Sequence, residues 1–282
     1  MSPTRAALAE GARVLAGTSS SARLDAELLL AQSLGVAREQ LLGGVAEDLA
    51  AGEAWRPTYA QLLSRRRAGE PLAYLIGRRH FRDICLAVDP RALIPRPESE
   101  LLVEWAHSLP AGARVLDLGT GSGALALAIK QERPDLDVSA SDVTADALAL
   151  ARENALALGL TVSLMHADLL AGVGGRYDAL ICNPPYVATR DRAQLAPELS
   201  YEPAVALFGG EDGLAVIRRL VRELARRQDF AQVALEIGAG QAAAVGRLLS
   251  DAGYEVRACL RDLAGRERVL AAARSSGLGA GA

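Results

Sequence analysis

The chain has 282 residues, 50% hydrophobic and 23% charged, a composition of folded proteins and a length sufficient for two domains with a sizeable core. Lys and Arg (31) nearly balance Asp and Glu (34) for a net charge of −3, which argues against gripping nucleic acid by bulk charge. The scattered Cys85, Cys182 and Cys259 form no CxxC or Cys/His cluster, so a disulfide framework and a metal site are not expected, and no apolar run reaches the ~18 residues of a membrane span. The N-terminal stretch, with Glu10, Asp25 and Glu27, reads as neither a signal nor a transit peptide, and a reducing cytoplasm is the expected setting. Aromatic residues are only 4%, so alanine, leucine and valine must fill the core.

Residues 4–70 read as helical. In Asp25–Leu34, Leu28, Leu29 and Ala31 lie near one face, with Asp25 as the expected N-cap. Residues 36–49 and 57–67 carry similar patterns, punctuated by Gly35, Gly43, Gly44 and Gly52. This is a helical domain over residues 1–75. His80–Pro90 alternates like a short hairpin, and Pro90, Pro95 and Pro97 forbid regular structure after it. Residues 76–95 are therefore a linker.

From residue 96 strands and helices alternate. Strands are expected at 114–118, 138–141, 162–166, 177–182, 233–237, 255–260 and 268–272. Helices are expected at 123–133, 146–158, 214–227 and 241–252. Such alternation implies an α/β, mostly parallel, doubly wound sheet over residues 96–282. The last residues, SSGLGAGA, read as a frayed tail.

Three features of that sheet carry chemistry. Asp117 is followed by Gly119, Thr120, Gly121, Ser122 and Gly123. This loop leaves a strand and opens a helix, where parallel sheets bind nucleotide-like ligands. Its GxGxG spacing differs from the dinucleotide GxGxxG and lacks a P-loop lysine. Asp117 would repel a pyrophosphate and suit a cation, which favours S-adenosylmethionine over NAD. Asp142 ends the next strand and is placed to accept from ribose hydroxyls; an N-cap is the plainer reading. Asp168 ends the third strand and is placed to accept from an adenine amino group; a loop carboxylate is the plainer reading.

Asn183, Pro184, Pro185 and Tyr186 directly follow the fourth strand, at the reactive end of such a ligand. The Asn183 side-chain oxygen and the Pro184 carbonyl can both accept from one planar NH2 group, with Tyr186 packed on its plane. That suits methyl transfer to an amide or exocyclic amine. Two acceptors hold its protons and turn the lone pair toward the sulfonium methyl, so no metal, nucleophile or general base is nominated.

Further motifs extend over nearly the whole chain: Gly77-x-x-x-Phe81, Ile94-Pro-Arg-Pro-Glu-Ser-Glu100, Tyr201-Glu-Pro-x-x-Ala206-Leu, Gly209-Gly-Glu-Asp-Gly213 and Gly265-Arg-x-Arg268. With the glycine loop and NPPY, the chain resembles the HemK/PrmC glutamine methyltransferases. The resemblance implies a class I Rossmann-like methyltransferase sheet of seven strands with a reversed last strand, behind a helical bundle that helps dock the substrate. It implies N5-methylation of the glutamine in the GGQ loop of class-1 peptide-chain release factors. It also implies that Gly119–Gly123, Asp142, Asp168 and Asn183 contact S-adenosylmethionine, and that Asn183–Tyr186 hold the glutamine. Ser99 stands where the family usually has threonine, and Leu169 where some members carry an aromatic residue.

Arg65–Arg67 and Arg78–Arg79 read as solvated helix ends or as contacts to the release factor. Glu98 and Glu100 read as a channel lining or as a helix-start preference for acids. A monomer without direct nucleic-acid contact is expected. The rival readings are a ribosomal-protein glutamine methyltransferase, a nucleic-acid adenine-N6 methyltransferase and a non-catalytic S-adenosylmethionine-binding regulator.

Overall fold

The computed structural model describes residues 2–44, 52–227 and 229–275. The helical pattern over 45–49 and the tail from 276 onward lie outside the described residues. Contacts divide the chain into Met1–Arg78 with Ala196–Tyr201, and Arg79–Leu195 with Glu202–Ala282.

In the first unit, α1 (Pro3–Leu15) starts on a Ser2 cap with proline in its first turn, where a missing N–H costs nothing. Then come α2 (Ala22–Leu34), α3 (Arg38–Leu42), α4 (Arg56–Arg67) and α5 (Leu72–Ile76). Gly35 (φ 67°) and Gly77 (φ 75°) end α2 and α5 in the left-handed conformation. Leu8, Leu15, Leu29, Leu30, Leu62 and Leu63 form the core. The buried Tyr59 hydroxyl donates to the Ala7 and Ala26 carbonyls, tying α4 to α1 and α2.

Two sequence expectations change here. Asp25 is not an N-cap: α2 begins at Ala22, and Asp25 is buried in its first turn. Its carboxylate accepts from Ser19 Oγ and Ser21 Oγ and pairs with Arg66 at 2.7 Å. Arg66 is not a solvated helix end. Its side chain is 8% exposed and also meets Glu198 at 2.6 Å, which binds residues 196–201 into the helical unit. A buried guanidinium demands counter-charges, and that demand overrides the helix-end pattern. Arg65 pairs with Glu70.

The second unit opens with a two-stranded sheet, β1 (Arg78–Phe81) and β2 (Ile84–Ala87). After α6 (Glu100–Ala106) come β3 (Arg114–Leu118), α7 (Ala124–Glu132), β4 (Asp137–Asp142), α8 (Ala145–Leu158), β5 (Ser163–His166) and β6 (Tyr177–Cys182). The short α9 (Ala204–Leu207) precedes α10 (Ala215–Arg226), β7 (Phe230–Glu236), α11 (Ala242–Asp251), β8 (Tyr254–Arg261) and β9 (Glu267–Arg274).

Seven strands form one sheet in the order β5-β4-β3-β6-β7-β9-β8. All pairings are parallel except those of β9, the reversed last strand. Alternation along β3 sends Val115 to one face and Leu116 and Leu118 to the other. The first face packs under α6 and α7 with Leu102, Leu127 and Ile129. The second packs under α10 and α11 with Ile217, Leu220 and Leu249. Buried Asn154 on α8 accepts from Ala87 N–H and donates to the Ala87 and Ser122 carbonyls, fastening the linker to the glycine loop. Among the described residues no helix is long and apolar enough to cross a membrane.

Arg66→Ala leaves the Asp25 carboxylate buried without its cation and is expected to destabilise the helical unit by about 3 kcal/mol. Urea denaturation followed by Trp55 fluorescence measures this. The double replacement Asp25→Leu/Arg66→Met is expected to recover most of the loss.

Candidate active site

Parallel pairing of Leu118 with Cys182 makes β3 and β6 end level. The next residues, Gly119 and Asn183, therefore emerge side by side. Strand order reverses between β3 and β6, and a crevice opens at such a switch point. A cavity of about 340 Å³ lies there.

Gly119, Thr120, Gly121 and Ser122 line the cavity, as do Asp142, Asp168, Asn183, Pro184 and Pro185. Gly123 and Tyr186 do not. Gly123 (φ 86°) is the left-handed turn into α7, and a Cβ there would approach Leu127 to 2.9 Å and Ala151 to 3.3 Å. Its role is to seat the helix against α8.

Asp117 also departs from expectation. It is fully buried and absent from the lining. One oxygen accepts from Thr120 Oγ1 (2.6 Å) and Ala126 N–H (3.1 Å), and the other has no partner. Burial, opposed by those two hydrogen bonds, pushes its pKa up to about 7. Asp117 is thus a brace between strand, loop and helix that does not line the cavity.

The electrostatic selection lies elsewhere. Arg91, Arg96 and Arg219 reach the cavity, and each already carries a carboxylate: Asp89 and Glu153, Glu202, and Asp168 respectively. Among the described cavity residues, each guanidinium thus has a carboxylate partner. Asp142 has no ion pair among the described residues. Its oxygens accept from Gly121 N–H on one side and Thr144 N–H and Oγ1 on the other, which orients the carboxylate and leaves lone pairs toward the cavity. Val143, Ala147 and Leu169 supply apolar wall beside it. An unpaired acid, apolar walls and an exposed glycine backbone fit a cationic adenosine derivative such as S-adenosylmethionine.

Asp168 is exposed, and Arg219 holds one of its oxygens at 2.8 Å. Leu169 adopts φ 51°, rare for a bulky residue, and the bond from Ala171 N–H to the Asp168 carbonyl closes the turn around it. Glu98 and Glu100 are absent from the lining; Glu100 opens α6 and accepts from Arg82 N–H.

Behind the NPPY segment stands a network that sequence reasoning missed. Asn183 Nδ2 donates to Ser99 Oγ at 3.0 Å, and Ser99 donates to Glu236 Oε2 at 2.6 Å. Tyr186 donates to Glu236 Oε1 at 3.1 Å. Glu236 is fully buried at the end of β7, and burial raises its pKa to about 6 against the pull of these bonds. The available signal was a carboxylate inside the otherwise apolar run Val233–Ile237. Glu202 is a second omission. It accepts from Ile94 N–H and Arg96 and holds the proline-rich segment.

Backbone packing makes NPPY rigid. A Cβ on Gly209 would lie 2.4 Å from the Pro185 carbonyl oxygen, and one on Gly213 2.3 Å from that of Tyr186. Gln241 Nε2 donates to the Tyr186 carbonyl. No donor among the described residues reaches Asn183 Oδ1 or the Pro184 carbonyl. Both stay open as acceptors.

The chain matches known proteins along nearly its whole length. A model of the PrmC N-terminal domain matches residues 6–77, and one of the methyltransferase small domain matches residues 97–241. The release factor glutamine methyltransferase of Deinococcus radiodurans is 40% identical over 266 residues, covering 91% of this chain and 93% of the relative. That of Moorella thermoacetica is 40% identical over 279 residues, covering 96% and 98%. A methyltransferase structure from Pyrococcus furiosus superposes with a TM-score of 0.55 at 18% identity, covering 77% of this chain and 99% of that one. This last likeness concerns the fold alone.

The raised pKa of Asp117 has a signed consequence. Its folded value of about 7 lies above the ordinary 3.8, so folding favours the neutral acid. That contribution is full below about pH 4 and is lost as pH rises to 7. Asn at this position keeps both accepted bonds and cannot ionise. The stability of Asp117→Asn relative to the parent is expected to rise between pH 4 and 7, by at most on the order of 4 kcal/mol. Thermal denaturation of both proteins across that range measures it.

Proposed function

The chain belongs to the HemK/PrmC family of S-adenosylmethionine-dependent release factor glutamine methyltransferases, and from that membership we propose its reaction: methylation of the side-chain amide nitrogen (N5) of the glutamine in the GGQ motif of class-1 peptide-chain release factors. The observation that carries this reading is the pair of open acceptors, Asn183 Oδ1 and the Pro184 carbonyl, beside the cavity.

S-adenosylmethionine, when bound, supplies a methyl group on a positively charged sulfur that is already a good leaving group. The glycine loop Gly119–Ser122 offers backbone to its amino-acid part, and Asp142 accepts from its ribose hydroxyls. Asp168 retains one oxygen free of Arg219 for the adenine amino group.

An amide nitrogen is a poor nucleophile because its lone pair is delocalised into the carbonyl. Asn183 and Pro184 each accept one of its two hydrogens, which fixes the amide plane and directs the lone pair out of it. Pro185 stiffens the segment. Tyr186, with its ring to pack on the amide plane, donates its hydroxyl to Glu236 behind the segment. Orientation of this kind contributes roughly 7–11 kcal/mol to barrier lowering. The proton is lost after transfer, when the nitrogen is far more acidic, so no side chain is needed as base.

The helical unit serves the docking of the protein substrate. The enzyme acts as a monomer in the cytoplasm, where release factors work, and without direct nucleic-acid contact. The net charge of −3 and the pairing of every cavity arginine support a protein substrate.

Incubation with radiolabelled S-adenosylmethionine is expected to label a release factor but not its GGQ→GGA variant, ribosomes or DNA. Label retained by the GGA variant, or confined to ribosomes or DNA, would sink the assignment. Asn183→Ala is expected to lower turnover by about 10²-fold or more with cofactor binding, read by calorimetry, largely retained.

A further inference from the structure

Among the described residues, Glu236 is the one buried acid that joins both ends of the NPPY segment, yet it does not line the cavity. Its two oxygens have different clients: Oε2 accepts from Ser99 and Oε1 from Tyr186. A carboxylate is an acceptor only. Ser99 must therefore donate toward Glu236, and its remaining lone pairs face Asn183. Only the NH2 end of the Asn183 amide satisfies them, so Oδ1 turns to the cavity.

We propose that Glu236 is a positioning residue that, through Ser99, sets which end of the Asn183 amide faces the substrate, and through Tyr186 holds the other end of the NPPY segment. This rests on the glutamine-methyltransferase reading above. It adds a reason why the acceptor pair is polarised correctly before substrate arrives. An asparagine side chain alone gains little by choosing one flip state, since its two ends have nearly the same shape. A flip would aim two donors at a substrate NH2 group that also only donates. Ser99 can play its part because the task needs a hydroxyl, which threonine also has.

Glutamine at 236 is nearly isosteric but carries its own NH2. Pointed at Ser99, that group turns the hydroxyl proton toward Asn183 and favours the flipped amide. Protonation of Glu236 gives it a donor too. The charged or titratable groups around it are Glu98 and Arg268, the Tyr186 hydroxyl and the buried thiol of Cys182 on the neighbouring strand. The thiol and the phenol stay neutral and Arg268 stays charged near pH 6, with burial raising the pKa of both Cys182 and Tyr186. Glu98, partly exposed, is controlled by Glu98→Gln.

The test uses the full-length protein, a release factor substrate and the variants Glu236→Gln, Ser99→Ala, Ser99→Thr and Glu98→Gln. Glu236→Gln and Ser99→Ala are expected to lower kcat about 10²-fold, with S-adenosylmethionine affinity and Tm not reduced in parallel. Ser99→Thr is expected to keep near-parental kcat. Parental kcat should fall as pH drops through about 6, a limb that Glu236→Gln lacks and Glu98→Gln retains. In the protein without ligands, the Asn183 side-chain amide resonances should titrate over the same range, and lose that response in Ser99→Ala. Parental turnover in Glu236→Gln, or a loss explained wholly by weaker cofactor binding, overturns the proposal. If Glu236→Gln does not fold, the contrast of Ser99→Ala with Ser99→Thr decides: equal kcat in the two overturns it. A parental enzyme that labels no glutamine refutes the functional reading instead, and the amide titration still tests the positioning role.

Discussion

Everything at the catalytic end of this protein depends on the parallel pairing of β3 with β6. Its register sets Leu118 opposite Cys182, about 4.8 Å apart across the ladder. One residue later each strand releases a functional loop, the glycine turn on one side and NPPY on the other. Helices leave in opposite directions from this point, so nothing fills the gap between the loops. A slip of two residues would keep every side chain on its face and still separate the loop from Asn183 by more than 6 Å. The core layers above and below the sheet hold that register, and chemistry inherits it.

The second organising constraint is charge. The molecule buries Asp117 and Glu236 completely, and burial raises both pKa values. Such acids are costly to keep. One braces the glycine turn to its strand and helix; the other joins Ser99 to Tyr186. Around the cavity itself, arginines arrive already neutralised by Asp89, Glu153, Glu202 and Asp168. Among the described cavity residues, Asp142 is an acid without an ion pair, held by hydrogen bonds from Gly121 and Thr144. The helical unit repeats the pattern on a smaller scale, where Arg66 holds together Asp25 and Glu198.

Much of this was legible in the chain. Strand–helix alternation from residue 114 onward corresponds element by element to the sheet, because each strand is a short apolar run and each helix is bounded by glycine, proline or a polar turn. The loop and NPPY were visible because their chemistry is local: glycines adopt positive φ, and prolines remove donors. Residues whose meaning depends on distant partners were misread or unseen. Asp117 read as a charge turned to the ligand and Asp25 as an N-cap, since nothing in a linear reading tells a buried carboxylate from a surface one. Arg66 sits in a run of three arginines, and only its neighbours in space distinguish it. Tyr186 was read for its ring, and only the fold shows that its hydroxyl answers Glu236.

The sequence by itself determined the element order, the two loops that line the cavity and the family, because these rest on spacing and on the conformational limits of individual residue types. The tertiary structure decided that Asp117 and Glu236 are buried braces while Asp142 and Asp168 line the cavity. It decided that residues 196–201 belong with the helices, and that Ser99 and Glu236, 137 positions apart, meet behind Asn183. Those outcomes depend on burial and on pairing between distant segments. Burial inverts the behaviour of a charged group, and no local pattern encodes it.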